Sequence, residues 1–230
     1  MSIRFSKGLA AASLAVAAAT AACGGPTPKP SSGNGVASKS AAQIVSSARA
    51  SAQKASSVHY QGVVAPTGLK LGVDMNAASR VGDGTLKVAG STAQVRRVGS
   101  ATYLKAGSAF FVKLAHTASL QASVLANKWI EVPPSISNSS GVRTLTNIHA
   151  LFSKALSFRS KDLVKSGTTT VDGKKVVAIK EPARHSVLYV ATTGTPYPVE
   201  VSKGPAGSIS FSGWNRKLHV SVPSKVTKLG

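Results

Sequence analysis

The strongest constraint on the fold of this chain is an alternation of apolar and polar residues that begins after Val58 and recurs through most of the sequence. A period of two predicts strands, because successive side chains of a strand point to opposite faces of a sheet. Turn-forming residues such as Gly82-Asp83-Gly84 and Val171-Asp172-Gly173-Lys174 separate the runs. Spacing of this kind is typical of an antiparallel meander, and we count about ten or eleven strands.

The predicted strands share this alternation and end at Gly, Pro, Asn or Asp. They cover 69–76, 85–88, 93–98, 129–132, 168–171, 175–181, 186–192, 197–203, 208–213 and 217–222, and the run Tyr103, Lys105, Phe110 and Val112 continues the pattern.

Three segments have the spacing of helices instead. The first runs from Ala41 to Ser57, with Ser40 as its predicted N-cap, and its apolar face consists mainly of alanine. The segments 114–127 and 145–163 carry apolar residues three and four positions apart. The second of these is the more clearly amphipathic.

These elements together predict an α+β fold, with residues 41–230 as a single domain. A sheet of ten or more strands twists until it curls or closes. We therefore expect a strongly curved antiparallel half-barrel that wraps two or three helices and leaves an apolar space between sheet and helices.

The predicted lining of that space consists of apolar residues that alternate on strands or repeat on helices. Alternation indicates which residues share a face, but not which face is concave. The candidates are Leu71, Val73, Met75, Leu86, Val88, Leu120, Leu151, Leu156, Phe211, Leu218 and Val220.

The N-terminus has the pattern of an export signal. Arg4 and Lys7 precede an apolar run of residues 8–19, which is shorter than the roughly 20 residues that span a bilayer. Small residues then lead to Cys23, the single cysteine of the chain. This arrangement resembles a lipobox, with residues 1–22 as the signal peptide and the Cys23 sulfur as the acylation site, although Thr20 stands where leucine is usual. The alternative is an ordinary secretory signal, which leaves Cys23 an incidental thiol.

Residues 23–40 continue with Gly, Pro and Ser and almost no large apolar side chain. Such a composition predicts a flexible tether that holds the domain near a membrane.

Charge is the unusual property of the composition. The chain has 28 Lys and Arg against 7 Asp and Glu, a net charge of +21. An exported basic surface favours anionic headgroups or anionic wall polymers as partners. The extracytoplasmic compartment argues against nucleic acid, and no aromatic-basic motif supports it.

The same composition argues against catalysis. Seven carboxylates and one cysteine poorly supply carboxylate-bridged metal centres and Cys-based zinc sites. The five histidines have no His-Glu-x-x-His spacing, and there is no Gly-x-Ser-x-Gly elbow or phosphate loop. We expect no catalytic residues, no metal and no cofactor. Trp129 and Trp214 are predicted to pack in the core or at its rim, or to mark the mouth of a cavity.

Several short motifs resemble actinobacterial lipoproteins of the LppX/LprG type, which share an architecture with the LolA/LolB lipoprotein carriers. They are Ser57-Val58-His59-Tyr60-Gln61-Gly62, Gly99-Ser100-Ala101-Thr102-Tyr103-Leu104-Lys105, Asn127-Lys128-Trp129-Ile130-Glu131-Val132-Pro133 and the hairpin series from Gly167 to Val201. The resemblance covers roughly residues 40–225. It implies a half-barrel with an apolar cavity for acyl chains and a non-catalytic role in binding or moving lipids.

Two functions follow as expectations. The first is a lipoprotein, anchored through acylated Cys23 at the extracytoplasmic face of the membrane, that binds a lipid or glycolipid in its cavity as a monomer. The second is a structural or interaction lipoprotein with a filled core, whose basic surface binds anionic wall polymer or a protein partner.

Overall fold

In the computed structural model, residues 33–65, 68–115, 119–133, 135 and 140–228 are described. The predicted first helix is present as α1, Ala41–Lys54. Ser40 caps it as predicted: its side chain accepts a hydrogen bond from the Gln43 amide, and the Gln43 side chain accepts one from the Ser40 amide. This reciprocal capping box satisfies amide groups that have no partner inside the helix.

Four further helices are described, and all are short. They are α2, Ser108–Ala115; α3, Ser119–Leu125; α4, Ser140–Thr146; and α5, Ile148–Ala155.

The described residues form twelve strands, where the sequence predicted about ten or eleven. They are β1, Ser57–Val64; β2, Leu71–Ala78; β3, Val81–Val88; β4, Ser91–Val98; β5, Ala101–Ala106; β6, Trp129–Glu131; β7, Val164–Val171; β8, Lys174–Glu181; β9, Ser186–Ala191; β10, Pro198–Ser202; β11, Gly207–Ser212; and β12, Val226–Lys228.

All twelve strands belong to one sheet, in the order β12-β6-β5-β4-β3-β2-β1-β11-β10-β9-β8-β7. Two meanders, β1–β6 and β7–β11, are joined by antiparallel pairing of β1 with β11. Neighbouring strands are antiparallel except β6 and β12, which are parallel. The predicted α+β class is confirmed.

The predicted hairpin at Asp172-Gly173 connects β7 to β8. Both residues have positive φ, 48° for Asp172 and 72° for Gly173, as a type I′ turn requires. Ala89 and Gly90 connect β3 to β4 with the same signs of φ. Turn chemistry therefore sets the register of both hairpins.

One face of this sheet is apolar along most of its width. Tyr60 pairs with Met75 on one side and with Phe211 on the other, and Val73 pairs with Leu86. Paired residues of an antiparallel ladder lie on the same face, so these side chains form one surface. Buried residues of α1, α2, α3 and α5 belong to the same core cluster. We call this surface the inner face.

Gly82 has a specific role on the inner face. A Cβ at this position would lie 2.7 Å from the Thr146 carbonyl oxygen at the end of α4. The absence of a side chain therefore permits close approach of the α4 backbone to the sheet.

Several predicted elements differ in the structure. Gly82-Asp83-Gly84, predicted as a turn, lies within β3, and the helix predicted over 114–127 falls on the end of α2 and on α3. The alternation did not continue through Phe110 and Val112, because β5 ends at Ala106 and α2 follows. Phe110 and Phe111 are adjacent in sequence and both buried. A helix turned toward the core can bury both, whereas a strand directs neighbours to opposite faces.

The predicted helix over 145–163 is two helices that meet at Asn147. The Asn147 side chain accepts hydrogen bonds from the amides of His149 and Ala150, and so begins α5 as its N-cap. Asparagine competes with helical hydrogen bonding in this way. α5 then ends at Ala155.

The predicted strand over 217–222 is absent. The chain leaves β11 in the middle of the sheet and re-forms a strand only at β12, beyond β6. Seven strand spacings of about 4.8 Å separate these positions, so the intervening residues are needed to cross that distance.

Residues 33–40, which the composition assigned to the tether, are held against the sheet instead. The Asn34 side chain donates to the carbonyls of Ala191 and Gly194, and Val36 is buried in the core. Lys165 donates through Nζ to the Ala37 and Lys39 carbonyls. The Asn34 side chain and the backbone carbonyls of Ala37 and Lys39 therefore attach this segment to the strands. Cys23 lies outside the described residues.

Candidate functional site

The candidate site is the space between the inner face and the helices. Eight of the eleven predicted lining residues lie there together. Those that are buried in the core are Val73, Met75, Leu86, Val88, Leu151, Leu156 and Phe211. Leu71 is partly buried and packs against them. The pairing of β1, β2, β3 and β11 brings the strand residues together, and α5 supplies the helical ones.

The other three predicted residues lie elsewhere. The side chain of Leu120, on α3, is 84% exposed. Leu218 and Val220 are half-buried in the irregular segment after β11 and do not belong to the core cluster. The spacing that suggested a helical face for Leu120 was correct, but the buried residue of α3 is Ala122.

Side chains fill the space near α1 and α5. Phe152 lies with its ring centroid 5.1 Å from that of Phe211 and 5.3 Å from that of Trp214. Tyr197 stacks on the outer side of Trp214, with centroids 4.1 Å apart. Stacked and tilted aromatic pairs at these distances contribute beyond their buried area. The prediction that Trp214 packs at the core is supported by these contacts.

Among the described side chains of α2 and α3, only Phe110, Phe111 and Ala122 are buried. α2 packs against β3 and β4 through Phe110 and Phe111, whose rings are perpendicular with centroids 6.2 Å apart. α3 buries Ala122, while Leu120 and Val124 face solvent. α2 and α3 therefore shield the apolar strands beneath them from solvent less completely than α1 and α5 do.

A cavity of about 670 Å³ lies between the segment 33–38 and the β7–β8 hairpin. Its lining is mainly hydroxyl-bearing, in contrast to the predicted apolar space. The residues that line it are Gly33, Gly35, Ala37, Ser38, Thr168, Thr169, Thr170, Lys175, Thr192 and Thr193. Alternation along β7 could have indicated a polar patch here, because three consecutive threonines leave neither face of that strand apolar.

A second cavity, of about 470 Å³, lies on the opposite face of the sheet. It is formed by residues of β1, β2, β3 and β11, including Gln61, Asp74, Thr85 and Lys87. Polar side chains contribute to the lining of both cavities, so neither is the wholly apolar space that the sequence predicted.

Buried polar groups connect α4 to the sheet. Arg97 is 8% exposed and donates hydrogen bonds to the carbonyls of Thr146, Gly99, Ala78 and Ser79. Burial, followed by the charge of Arg143, lowers the pKa of Arg97 from its ordinary value. Tyr60 donates from its hydroxyl to the Leu145 carbonyl, and burial raises the pKa of that hydroxyl.

A second polar group lies beyond α5. Glu181 is fully buried, and its Oε1 accepts a hydrogen bond from the Arg159 amide. Lys203 places Nζ 4.0 Å from the centroid of the Phe158 ring. Burial and Arg184 lower the pKa of Lys203, and Glu181 opposes that shift in part.

A row of polar side chains lies on the outer face of the sheet, which is the face opposite the inner face. It consists of Ser212, His59 and Asp74. His59 Nδ1 lies 2.9 Å from Ser212 Oγ, and Nε2 lies 2.8 Å from Asp74 Oδ1. In a Ser-His-Asp triad the serine faces Nε2 and a buried aspartate faces Nδ1, so this row has the reverse arrangement. The Asp74 side chain is 61% exposed. The row therefore lacks the geometry for nucleophilic catalysis.

No cluster of His, Cys, Asp or Glu capable of holding a metal ion occurs within the described ranges.

Trp129 lies on the outer face, where the Arg96 guanidinium sits 4.9 Å from its ring centroid. No helix in the described part of the chain is both long and apolar enough to cross a bilayer.

No protein-family model matches the sequence, and no curated protein matches it. Among solved structures, LprF from Mycobacterium bovis superposes with a TM-score of 0.55 at 14% identity, over 80% of this chain and 96% of that one. The lipoprotein LppX from Mycobacterium tuberculosis gives a TM-score of 0.49 at 15% identity, over 78% of this chain and 97% of that one. The resemblance that the sequence motifs indicated is thus a similarity of fold, shared with LprF, a mycobacterial lipoprotein of the LppX/LprG type.

Proposed function

We propose that this protein is a non-catalytic lipoprotein, anchored through acylated Cys23 at the extracytoplasmic face of the membrane. In this proposal it binds the acyl chains of a lipid or glycolipid between a curved sheet and its helices. The chains lie beneath α2 and α3, next to Leu86 and Val88, because this part of the inner face has the thinnest helical cover.

One observation carries the proposal: an apolar face extends across much of the sheet, yet among the described side chains of the helices over β3 and β4 only Phe110, Phe111 and Ala122 are buried. Displacement of α2 and α3 would expose Leu86, Val88, Ala93 and Val95, which are buried at present. Acyl chains could replace the lost contacts, because each buried CH₂ contributes about 0.8 kcal/mol. The fold shared with LprF is consistent with this role.

The anchor is proposed from the sequence around Cys23, with the charge of the chain in support. Removal of residues 1–22 leaves 26 Lys and Arg against 7 Asp and Glu, a net charge of +19. This charge favours attraction to an anionic membrane surface. In cells, Cys23→Ala should shift the protein from the membrane fraction to the medium, and unchanged membrane association would contradict the anchor.

Lipid binding is tested by native mass spectrometry of the protein extracted from membranes. We expect an additional mass that is lost on delipidation and that fragments as a lipid. A fluorescent fatty acid then tests the location. Leu86→Trp on the inner face should weaken its binding at least fivefold, whereas Thr85→Trp, on the outer face of the same strand, should not.

Thermal unfolding of both variants shows whether they fold, and Leu86→Phe replaces Leu86→Trp if the larger ring prevents folding. If no lipid is extracted and the folded Leu86 variant binds the probe as wild type does, the proposed cavity is wrong.

The filled region near α1 and α5 favours a second candidate function. Leu156, Ile148 and Phe152 are at most 1% exposed, which is typical of a permanently closed core. In that case the protein is a structural or interaction lipoprotein, and its basic surface binds anionic wall polymer or a protein partner. Salt-sensitive sedimentation with wall polymer, without any extracted lipid, is the result expected of this candidate.

A further inference from the structure

Several turns and helices meet at the end of the sheet where β1 and β3 terminate. Val64 pairs with Leu71, and Leu71 pairs with Val88, so the β1–β2 and β3–β4 turns lie side by side. Lys113 of α2 donates through Nζ to the Ala89 carbonyl at a distance of 2.9 Å, which places the helix at the same end. α3 packs against α2.

This end exposes an unusual amount of apolar side chain. Leu69 is 43% exposed, Val112 38%, Leu120 84% and Val124 63%. These four residues, which we call the apolar end, account for four of the seven large apolar side chains that are exposed in the described part of the chain. Clustering of this kind marks an interaction surface, since apolar residues exposed singly are ordinary.

Charge identifies the partner. The sequence from 106 to 128 contains Lys113 and Lys128 but neither aspartate nor glutamate, and Lys70 follows Leu69 in the β1–β2 turn. Apolar side chains flanked by lysines suit the boundary of an anionic bilayer, where aliphatic groups enter the acyl region and ammonium groups remain among phosphates. A second copy of this chain carries the same charge of +21 and would repel the first.

The position of the N-terminus permits this orientation. Gly33 bridges to Thr193, near the start of β10 and therefore at the opposite end of the sheet. An eight-residue strand is about 26 Å long. Nine residues lie between Cys23 and Gly33, and the ten Cα-to-Cα steps that join the two extend to at most about 33–36 Å, so an anchor at Cys23 can reach a membrane on which the apolar end rests.

We propose that Leu120 and Val124, with Leu69 and Val112 at the same end of the sheet, dock the protein on an anionic lipid bilayer. Docking turns α2 and α3 toward the membrane. This inference deepens the proposed function and rests on it for the membrane location, but bilayer binding itself can be measured without an acyl anchor.

The test uses the mature chain, residues 23–230, with Cys23→Ala, so that neither the apolar signal segment nor an acyl group contributes to binding. Vesicles of phosphatidylglycerol and phosphatidylcholine in equal amounts are sedimented with the protein. The double variant Leu120→Asp, Val124→Asp should bind at least tenfold more weakly. The matched control is Ser100→Asp, Thr170→Asp, which adds the same two charges at exposed residues of the opposite end of the sheet and should lose less than threefold.

Equal loss in the two double variants would mean that charge alone holds the protein on the vesicle, and it would overturn the apolar end. Unchanged binding of the Leu120 and Val124 variant would overturn it as well. Equal binding of the parent chain to vesicles of pure phosphatidylcholine would overturn the anionic surface as the partner.

A single fluorophore gives a second measurement with little risk to folding. Because Cys23 is the one cysteine of the sequence, Leu120→Cys in the Cys23→Ala chain can be labelled alone with an environment-sensitive dye. On the mixed vesicles its emission should shift to the blue, whereas a dye at Thr170→Cys, at the opposite end of the sheet, should not. No shift at position 120 would contradict insertion.

The outcomes separate this inference from the proposed function. The Leu120 and Val124 variant should still bind a fluorescent fatty acid in solution while it loses vesicle binding. Vesicle docking without fatty-acid binding in the parent chain would leave the apolar end in place and refute the lipid cavity. Fatty-acid binding without vesicle docking would leave the lipid cavity in place and refute the apolar end as a docking surface.

Discussion

The two helical regions over the inner face differ in how they contact the sheet. α1 and α5 bury large side chains, among them Ile44, Leu151 and Phe152, against strands on both sides of the β1–β11 junction. α3 buries Ala122 and exposes Leu120 and Val124. The region of α1 and α5 is packed as a protein core is, whereas α3 has apolar residues on its solvent side as well as on the side that faces the core.

This difference separates stability from binding. A closely packed region contributes to the free energy of unfolding but has no space for a ligand. A thin cover contributes less, and it can open at a low cost in free energy. We therefore expect α1 and α5 to hold the fold together and α2 and α3 to admit the ligand.

The largest effect should come from emptying the dense region. Phe152→Ala removes a ring that contacts Phe211 and Trp214, and it should lower the free energy of unfolding by about 3–5 kcal/mol. Leu120→Ala, in the thin cover, should change it by less than about 0.5 kcal/mol. Urea unfolding measures both, and similar losses in the two variants would contradict the comparison.

A smaller effect is expected where polar groups attach each region to the sheet. Arg97→Lys keeps the charge but loses most of the donors that bind four backbone carbonyls, and it should cost about 1.5–3 kcal/mol. The corresponding bond of α2 is exposed, from Lys113 Nζ to Ala89, so Lys113→Met should cost less than about 0.5 kcal/mol. An equal cost for the two bonds, again from urea unfolding, would mean that α2 is attached as firmly as α4.

The smallest effect concerns the buried charge beyond α5. Because the folded state lowers the pKa of Lys203, the folded protein binds fewer protons than the unfolded chain between that lowered value and the ordinary 10.5. Stability from this group therefore rises with pH across that window. Lys203 as a residue is only half-buried, although its Nζ is shielded from solvent, so we expect less than about 1 kcal/mol. Lys203→Met should remove the rise in unfolding experiments between pH 7 and 10.5, and a rise of the same size in the variant would assign it to another group.

Local sequence determined the elements whose signals are local. The capping box at Ser40 and Gln43 begins α1, and Asp172-Gly173 closes the β7–β8 hairpin, because each satisfies its backbone requirement with residues a few positions apart. Alternation along β2 and β3 likewise identified Val73, Met75 and Leu86 as sharing one face. The apolar pattern was sufficient there because both strands have one buried face and one solvated face.

Contacts between distant parts of the chain decided the rest. The run 217–222 alternates like a strand, but in the structure it passes from β11 to β12 without joining the sheet. Residues 33–40 have the composition of a tether, yet Asn34 finds free carbonyls at Ala191 and Gly194. Leu120 has the periodicity of a buried residue, and only the placement of α3 on α2 turns it to solvent. Periodicity specifies which residues share a face, whereas burial depends on what the remainder of the chain places against that face.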